Sequence, residues 1–397
     1  MGPFRRIIIL VLDSVGIGEM PDASRFGDQG SDTLGHIAQC CKLDIPNLQR
    51  LGLGNIRPLA HIPPAEPALA SFGKATLASQ GKDTTSGHWE MMGIILARPF
   101  PTYPQGFPDT IIHKFEQSIG RNILGNTPAS GTTIIEQLGP EHLRTGNPIV
   151  YTSADSVFQI ATHEDIIPLD QLYELCETAR ALLRGEHEVG RVIARPFTGS
   201  AGQFVRTKGR RDYAILPPGP TVLDQLQESG VKVVAVGKIA SIFCHSGIDQ
   251  ELEGEGNSET TFSTIRALRE SPEGLIFSNF VDFDTLYGHR NDTDGYARAL
   301  EKFDRELTQI LAHLTDDDLL IITSDHGCDP TTPSIDHSRE YALLLAFSRR
   351  LQGNYDLATR SSLADVGATV AENFGTIAPA GTSFLGKVSK KLPIAAF

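Results

Sequence analysis

The stretch Ile321-Ile322-Thr323-Ser324-Asp325-His326-Gly327 places an Asp-His pair directly after a run of apolar residues that begins at Leu319. Such a run predicts a buried strand, and open α/β sheets carry their functional residues at the carboxyl ends of parallel strands. The tripeptide Asp-His-Gly also has an ordinary explanation, because turns favour Asp and Gly. The rest of the chain is needed to decide between a site and a turn.

The composition predicts a globular protein of more than one domain, because 397 residues exceed the size of a single hydrophobic core. The net charge of −13 argues against general affinity for nucleic acid or anionic membranes, so an anionic substrate needs local cations. The apolar run Ile7 to Leu12 is too short for a signal peptide or a membrane span. The five cysteines are odd in number and lack C-x-x-C spacing, which predicts a cytoplasmic location.

Proline clusters predict the bounds of an inserted domain. One cluster runs from Pro99 to Pro108 and another from Pro217 to Pro220. We therefore predict a catalytic core of residues 1–98 and 216–397 and a smaller inserted α+β domain of residues 99–215. Predicted strands alternate with predicted helices in the core, which indicates an α/β fold with a mostly parallel sheet sandwiched by helices.

Three predicted strands lead into an aspartate, and histidines follow two of them closely. One such aspartate is explained by a turn or a helix cap. Three aspartates with three histidines predict ligands that converge at one edge of a parallel sheet. Six oxygen and nitrogen ligands are too many for one structural zinc ion and suit two divalent cations, which stabilise both oxygens of a phosphoryl transfer. The six residues are Asp13, Asp284, His289, Asp325, His326 and His337.

The segment Gly81 to Glu90, G-K-D-T-T-S-G-H-W-E, concentrates hydroxyl groups at a predicted helix start. Ser or Thr followed by Glu fits a capping box. The alternative is a nucleophilic hydroxyl at the helix N-terminus, where the positive end of the helix dipole stabilises an alkoxide or a phosphoryl group. The candidates are Thr84, Thr85 and Ser86.

Residues 191–211 contain six Lys and Arg residues and no Asp or Glu. A solvated basic hairpin explains most of these charges. The functional alternative is that one or two of the arginines bind a phosphate group through paired hydrogen bonds.

Together these motifs resemble the alkaline phosphatase superfamily and, most closely, the phosphopentomutase family, which is related to the cofactor-independent phosphoglycerate mutases. The resemblance extends from Arg5 to about Asn373. It implies an alkaline phosphatase-like core with an inserted cap domain. The matching segments are G-K-D-T-T-S-G-H-W-E-M-M-G, Y-T-S-A-D-S-V-F-Q, G-R-V-I-A-R-P-F, N-F-V-D-F-D-T-L-Y-G-H-R and S-D-H-G-C-D-P-T-T-P-S-x-D-H-S-R-E-Y.

The resemblance implies two Mn²⁺ ions and a phosphorylated threonine. The related phosphoglycerate mutases have their nucleophile four residues before the histidine of a Gly-His pair, which matches Thr84, although the family usually has a second Thr where this chain has Ser86. Asp155 is implied near the sugar. The implied metal ligands are Asp13, Asp325 and His326 for one ion and Asp284, His289 and His337 for the other, and the implied phosphate ligands are Arg191, Arg206 and Lys238.

The activity that the resemblance implies is interconversion of ribose 1-phosphate and ribose 5-phosphate, and of the 2-deoxyribose pair. Phosphothreonine would donate its phosphoryl group to form a 1,5-bisphosphate, after priming by a sugar bisphosphate, while the inserted domain keeps water away. The expected partners are small-molecule pentose phosphates. The alternatives are a metal-dependent phosphatase or another phosphosugar mutase of the same superfamily. A non-catalytic phosphosugar sensor is disfavoured because it would not need the Thr84 loop.

Overall fold

The structure, a computed structural model, describes residues 2–153, 156–350 and 353–389. The chain divides into two compact units. The core unit comprises Met1–Pro99 and Pro217–Phe397, and the inserted unit comprises Phe100–Leu216. No helix in the described ranges combines the length and the apolar composition that a membrane span requires.

Strands and helices are numbered along the chain. The strands are β1 (Arg6–Leu12), β2 (Gly16–Glu19), β3 (Ser71–Ala75), β4 (Leu124–Pro128), β5 (Ile149–Thr152), β6 (Val157–His163), β7 (Arg191–Thr198), β8 (Val205–Arg206), β9 (Arg211–Ala214), β10 (Val233–Val236), β11 (Gln250–Leu252), β12 (Gly274–Phe280), β13 (Asp318–Thr323), β14 (Glu340–Phe347) and β15 (Asp356–Arg360). The α-helices are α1 (Thr33–Cys40), α2 (Pro46–Leu51), α3 (Leu53–Ile56), α4 (Thr84–Met91), α5 (Asp109–Ile119), α6 (Gly131–Thr145), α7 (Leu169–Leu182), α8 (Val222–Glu228), α9 (Ile239–Ile242), α10 (Asn257–Glu270), α11 (Thr293–His313), α12 (Ala364–Phe374) and α13 (Leu385–Val388). Short 3₁₀ turns cover Ala23–Phe26, Gly185–His187 and Gly288–Arg290, and a π-helical turn covers Phe283–Tyr287.

The core unit is built on one sheet in the order β11-β10-β12-β1-β13-β14-β3-β15, and β2 pairs with β14. Strands β11, β10, β12, β1 and β13 run parallel to one another. Strand β14 is antiparallel to both β13 and β3, so the parallel order is broken on that side. The predicted α/β fold with a mostly parallel sheet is confirmed.

Strand β1 lies at the centre of this sheet because all seven of its residues can be buried. Ile8, Leu10 and Leu12 project into a core that also contains Leu300 and Phe303 of α11. A continuous apolar run suits a strand covered on both faces, whereas an alternating pattern would leave one face in water. The strand therefore brings its carboxyl end, and the residue after it, to the middle of the sheet edge.

One predicted strand end differs from the observed one. Strand β12 ends at Phe280 rather than continuing to Asp284. The apolar run after Phe280 forms the π-helical turn instead, and the buried Phe283 joins the core from that turn. Burial alone therefore does not distinguish a strand residue from a buried turn residue.

The inserted unit has its own sheet in the order β4-β5-β6-β7-β8, and β9 also pairs with β7. Its strands combine parallel and antiparallel pairs. One face of this sheet carries a core that includes Phe115 of α5 and Leu172 and Cys176 of α7. The inserted unit thus has a mixed α+β architecture with a separate hydrophobic core.

Candidate metal centre and nucleophile

Three carboxylates meet at the carboxyl edge of the core sheet. Strands β12, β1 and β13 are parallel neighbours, so their carboxyl ends lie at the same edge. Asp13 follows β1 directly, and Asp325 is two residues beyond β13. Asp284 lies in the π-helical turn after β12, and such turns are frequent at functional sites. All three residues are at most 5 % exposed.

His326 faces two of these carboxylates. Its Nε2 lies 3.5 Å from Asp13 Oδ1 and 3.3 Å from Asp325 Oδ2. Its Nδ1 lies 3.0 Å from the carbonyl oxygen of Gly327, which can only accept, so Nδ1 carries the hydrogen. In the neutral ring, Nε2 then presents a lone pair to the carboxylates, an arrangement that a cation between them would stabilise. Metal-binding histidines commonly have this hydrogen bond from the second ring nitrogen.

Asp284 has a histidine beside each of its oxygens. His337 Nε2 lies 3.2 Å from Oδ1, and His289 Nε2 lies 3.4 Å from Oδ2. His289 Nδ1 is 2.6 Å from the carbonyl oxygen of Ile335, so this nitrogen donates and Nε2 faces Asp284. In His289, as in His326, the ring nitrogen that faces away from the carboxylates therefore donates a hydrogen bond to a backbone carbonyl.

The ligand atoms form three overlapping sets, and within each set all atoms lie within 4.8 Å of one another. The structure brings all six predicted metal-binding residues together. It also places His326 in two of the sets, whereas the sequence assigned it to one ion. The sets are Asp13, Asp325 and His326; Asp284, His326 and His337; and Asp284, His289 and Cys328.

The electrostatics of this cluster fit divalent cations. Asp13 Oδ1 and Asp284 Oδ1 are buried, and neither of them accepts a hydrogen bond from a described residue. Burial, reinforced by the charges of Asp325 and Asp284, raises the pKa of Asp13 to about 8. Burial lowers the pKa of His326, which favours its neutral, metal-binding form. Buried carboxylates are costly unless they are paired or coordinate a metal, so the cluster matches such ions.

Cys328 is a member of the site that the sequence reasoning missed, because its spacing to the other cysteines fits no motif. The thiol is buried, and burial raises its pKa, so it remains protonated in the absence of a metal. A thiol is also a soft ligand, and it matches Mn²⁺ less well than carboxylates and imidazoles do.

Thr84 is the hydroxyl residue that contacts the cluster. It begins helix α4, and its Oγ1 lies 3.3 Å from Nε2 of His326. Ser86 is committed elsewhere, since its Oγ donates to Asp83 Oδ2 at 2.6 Å and its N–H donates to Asp83 Oδ1. The helix cap is therefore Asp83 and not a Ser or Thr. Thr84 thus combines a helix N-terminus with proximity to the candidate metal ligands.

The loop before Thr84 is held by a buried arginine, Arg339. Its guanidinium donates to the carbonyl oxygens of Leu77, Ser79 and Gly81 at 2.6–2.7 Å, and its remaining donors face Asp22. All the donors of the guanidinium fork are used, which fixes the course of the loop. Arg339 is two residues after His337, a candidate metal ligand. Its hydrogen bonds therefore link the loop to the segment that leads into β14.

Glu90 and Lys82 complete the restraint of this loop. Glu90 is fully buried and accepts hydrogen bonds from the N–H groups of Ala78 and Ser79 at 2.7 and 2.6 Å. Lys82 Nζ lies 3.0 Å from Asp28 and 3.2 Å from Asp336, the residue before His337. Charge-assisted hydrogen bonds of this kind are stronger than neutral ones, so the segment before the candidate nucleophile is held rigidly.

Asn279 is another residue that the sequence reasoning missed. It is fully buried in β12, and its Nδ2 donates to Asp13 Oδ2 at 2.9 Å. The available signal was a polar amide inside a fully buried, mostly apolar strand. Such a residue needs a partner, and here the partner is a candidate metal ligand 266 positions away in sequence.

The predicted phosphate ligands lie in both units. Lys238 follows β10 at the same sheet edge as the carboxylates, and its charge opposes the rise in the pKa of Asp13. In the inserted unit, Arg191 begins β7 and lies 3.6 Å from Asp212, whereas Arg206 pairs with Phe197. This register separates the two arginine backbones by about 20 Å along the strand, so one phosphate can bind both only if the side chains extend toward each other. Asp155 lies outside the described residues.

Comparison with known proteins identifies the family. Residues 5–378 match the model of the metalloenzyme superfamily. The chain is 55% identical over 392 residues to a phosphopentomutase of Caldanaerobacter subterraneus subsp. tengcongensis, covering 98% of this chain and 100% of the relative. It is 54% identical over 386 residues to that of Acetivibrio thermocellus, covering 97% and 100%. The structure of the PH0037 protein from Pyrococcus horikoshii has a TM-score of 0.50 at 14% identity, covering 94% of this chain and 98% of that one, which supports the fold.

The superfamily match, together with the buried ligand sets, supports the use of divalent metal ions. The named relatives indicate an enzyme of the isomerase class. Because these relatives share more than half of their residues with it along almost its whole length, the chain belongs to the phosphopentomutase family of the metalloenzyme superfamily.

Proposed function

We propose that this enzyme interconverts ribose 1-phosphate and ribose 5-phosphate, and the corresponding 2-deoxyribose phosphates, through a phosphothreonine and a 1,5-bisphosphate. The names of its close relatives support this substrate class. The observation that carries the mechanism is the 3.3 Å distance between Thr84 Oγ1 and His326 Nε2. A hydroxyl at this position lies at a helix N-terminus and beside a ligand cluster, where a phosphoryl group is stabilised.

The proposed cofactors are two Mn²⁺ ions, because the six residues offer the oxygen and imidazole ligands that such an ion accepts. When bound, two ions of this kind stabilise the attacking and leaving oxygens of an in-line phosphoryl transfer. Within the chain, hydrogen bonds from the second ring nitrogens of His289 and His326 orient these two ligands. The proposed ligands are Asp13, Asp325 and His326 for one ion and Asp284, His289 and His337 for the other.

The reaction begins with Thr84 phosphorylated, after a sugar bisphosphate has primed it. The bond between phosphorus and Thr84 Oγ1 breaks as a bond forms to the free hydroxyl oxygen of a pentose monophosphate, which loses its proton. The resulting 1,5-bisphosphate then presents its other phosphate. That phosphoryl group passes to Thr84 Oγ1, and the sugar oxygen it leaves takes up a proton. Thr84 ends phosphorylated, and the substrate has been isomerised with no net loss of phosphate.

The phosphate that is not transferred needs cations elsewhere. We assign this role to Arg191, Arg206 and Lys238, because guanidinium and ammonium groups are the usual phosphate ligands of proteins. Asp155 is proposed to bind the sugar hydroxyls. The cytoplasmic location expected from the odd number of cysteines belongs to the same proposal.

The test is an assay of ribose 5-phosphate formation from ribose 1-phosphate in Mn²⁺, with the modified residue mapped by peptide mass spectrometry. We expect phosphate on Thr84, and we expect Thr84→Ala to reduce turnover by at least about 10³-fold because the covalent route is lost. Thr85→Ala is the matched control and should stay within a few-fold of the unmodified enzyme.

Two results would contradict the proposal in different ways. Full activity in the Thr84→Ala protein would remove the assignment of the nucleophile. Release of free phosphate faster than isomerisation would instead identify a phosphatase that uses the same core.

A further inference from the structure

His88 connects the candidate nucleophile to a candidate metal ligand. It lies on α4, four residues after Thr84, and is fully buried. Its Nδ1 lies 2.9 Å from the carbonyl oxygen of Thr84 and 3.1 Å from Asp325 Oδ2. Both oxygens can only accept, since a carbonyl has no hydrogen and Asp325 is a carboxylate, so Nδ1 carries the hydrogen and is shared between them.

The environment of Asp325 makes this contact specific to one oxygen. Asp325 Oδ1 accepts hydrogen bonds from the backbone N–H groups of Ser14 and His326, each at 3.1 Å. Asp325 Oδ2 is the oxygen that belongs to the candidate metal set, and His88 Nδ1 and His326 Nε2 lie within 3.3 Å of it. Since His326 is itself a proposed ligand, His88 is the neighbour that can orient this oxygen without binding the ion.

Helix α4 packs directly on the Asp325 segment, which fixes the position of His88. A β-carbon at Gly87 would overlap the carbonyl oxygen of Asp325 and would lie 2.8 Å from Asp325 Cβ. A glycine is therefore required for the helix to approach this closely. The imidazole ring of His88 also stacks on Phe277, with 6.0 Å between the ring centres. Backbone approach and ring packing together leave Nδ1 directed at Asp325 and Thr84.

We propose that His88 is a positioning residue that uses one N–H group to align Asp325 Oδ2 for its metal ion and to fix the first turn of the helix that carries Thr84. This inference rests on the proposed metal centre and nucleophile. A hydrogen bond behind a metal ligand sets the orientation of the ligand, and its loss typically costs about 10- to 100-fold in metal affinity. His88 therefore sets metal affinity and the placement of Thr84 together, although it touches neither substrate nor metal.

The test compares three substitutions of His88 in the full-length protein. Asn places an amide donor where Nδ1 was, Gln places it where Nε2 was, and Leu has no donor. The metal-free proteins are titrated with Mn²⁺, free Mn²⁺ is followed by electron paramagnetic resonance, and unfolding by urea is measured in chelator. Phosphate on Thr84 is then measured by mass spectrometry after incubation with a sugar bisphosphate.

We expect His88→Leu and His88→Gln to weaken one of two Mn²⁺ sites by about 10- to 100-fold and to reduce the phosphorylation of Thr84. His88→Asn should retain both properties within about threefold, because it keeps the donor. Asn and Gln are both polar and differ in where they place the amide donor. The two proteins can therefore be compared with each other even if His88→Leu does not fold.

Wild-type Mn²⁺ affinity in His88→Gln would overturn the inference, and so would a loss in His88→Asn as large as that in His88→Gln. Failure of the proposed function has a different signature. If the unsubstituted protein binds two Mn²⁺ ions and the variants match it, only the role of His88 is wrong. If the unsubstituted protein binds no Mn²⁺, the metal centre itself is wrong, and the inference is lost with it.

Discussion

The carboxyl edge of the core sheet carries negative charges and the basic strands of the inserted unit carry positive ones. The two regions also differ in how far these charged groups are buried and paired. At the edge, Asp13, Asp284 and Asp325 are buried, and Asp13 Oδ1 and Asp284 Oδ1 accept no hydrogen bond from a described residue. In the inserted unit, the basic side chains are at least partly exposed, and several are paired inside the unit. Arg210 binds both oxygens of Asp212 at 2.8 Å, and Arg195 donates to Gln159.

The buried carboxylates of the core edge need a ligand, whereas the exposed and paired arginines of the inserted unit do not. A buried, ionised carboxylate without a partner has a high free energy, so the core edge must be neutralised by protons or by cations. An exposed and internally paired arginine is already satisfied and contributes little. Charge density in the sequence is therefore a weaker guide to a site than the absence of a partner in the structure.

The largest expected effect tests the buried carboxylates. Asp284→Asn should reduce isomerase activity by about 10³-fold, because it removes a charge from the centre that we propose stabilises the transferring phosphoryl group. Asp282→Asn is the matched control, since Asp282 accepts a hydrogen bond from the N–H of Asn257 at the start of α10 and lies outside the ligand sets. Activity with saturating Mn²⁺ is the measurement, and equal losses in the two variants would contradict the comparison.

The second prediction concerns pH and metal removal. The pKa of Asp13 is about 8 in the folded metal-free protein, against an ordinary value of 3.8. Between these values the folded state binds more protons than the unfolded state, so the free energy of unfolding falls as the pH rises. In urea unfolding in chelator, Asp13 should contribute a loss of about 3 kcal/mol from pH 5 to pH 8.

Two further measurements separate this effect from a general response to pH. Saturating Mn²⁺ should reverse the slope, because the cation replaces the proton on the carboxylate. Asp13→Asn should reduce the slope in chelator but not abolish it, because burial also raises the pKa of Glu340, to about 7. A metal-free protein that is more stable at pH 8 than at pH 5 would be the opposite of what the buried cluster requires.

The third prediction compares a buried arginine with an exposed one. Arg339→Lys keeps the charge but cannot make all the hydrogen bonds of the guanidinium, so it should lower the free energy of unfolding by about 2 kcal/mol. It should also lower turnover, because the Leu77–Gly81 loop then loses its restraint. Arg210→Lys, in the exposed pair with Asp212, should cost less than about 1 kcal/mol. Chemical denaturation of both variants measures the two losses in the free energy of unfolding, and equal losses would contradict the prediction.

The smallest effect tests the inserted unit itself. Arg206→Gln should raise the KM for the pentose phosphate about tenfold through loss of a charge-assisted hydrogen bond, and it should leave Mn²⁺ affinity unchanged. Lys208→Gln, two residues away in the same basic segment, is the control and should change the KM less than twofold. A loss of metal affinity in the Arg206 protein would be inconsistent with a role in phosphate binding alone.

The sequence was sufficient for the fold and for the family, because both depend on strong local signals. Continuous apolar runs predicted the buried parallel strands, and the motifs around Thr84 and Asp325 indicated the phosphopentomutase family, as the fold and the relatives confirm. The strand end before Asp284 was placed too late, since a buried π-helical turn has the same apolar composition as a strand.

The supporting residues could not be predicted, because their partners are distant in sequence. In the sequence, His88 looks like part of a polar loop, and its contact with Asp325 is visible only in the structure. Asn279 likewise looks like an isolated amide in a strand, and its hydrogen bond to Asp13 is visible only in the structure. Arg339 gave no signal, because three of its hydrogen bonds go to backbone carbonyls, which have no sequence signature, and the others go to Asp22, which is distant in sequence. Strand register, rather than residue type, sets the distance between Arg191 and Arg206.

The central claim is that the edge formed by β12, β1 and β13 holds two divalent cations beside Thr84. Crystals grown with Mn²⁺ and measured at the manganese absorption edge test it directly by anomalous scattering. The account predicts two peaks, one among Asp13, Asp325 and His326 and the other among Asp284, His289 and His337. A single peak, or none, in crystals of protein that is active under the same conditions would contradict it.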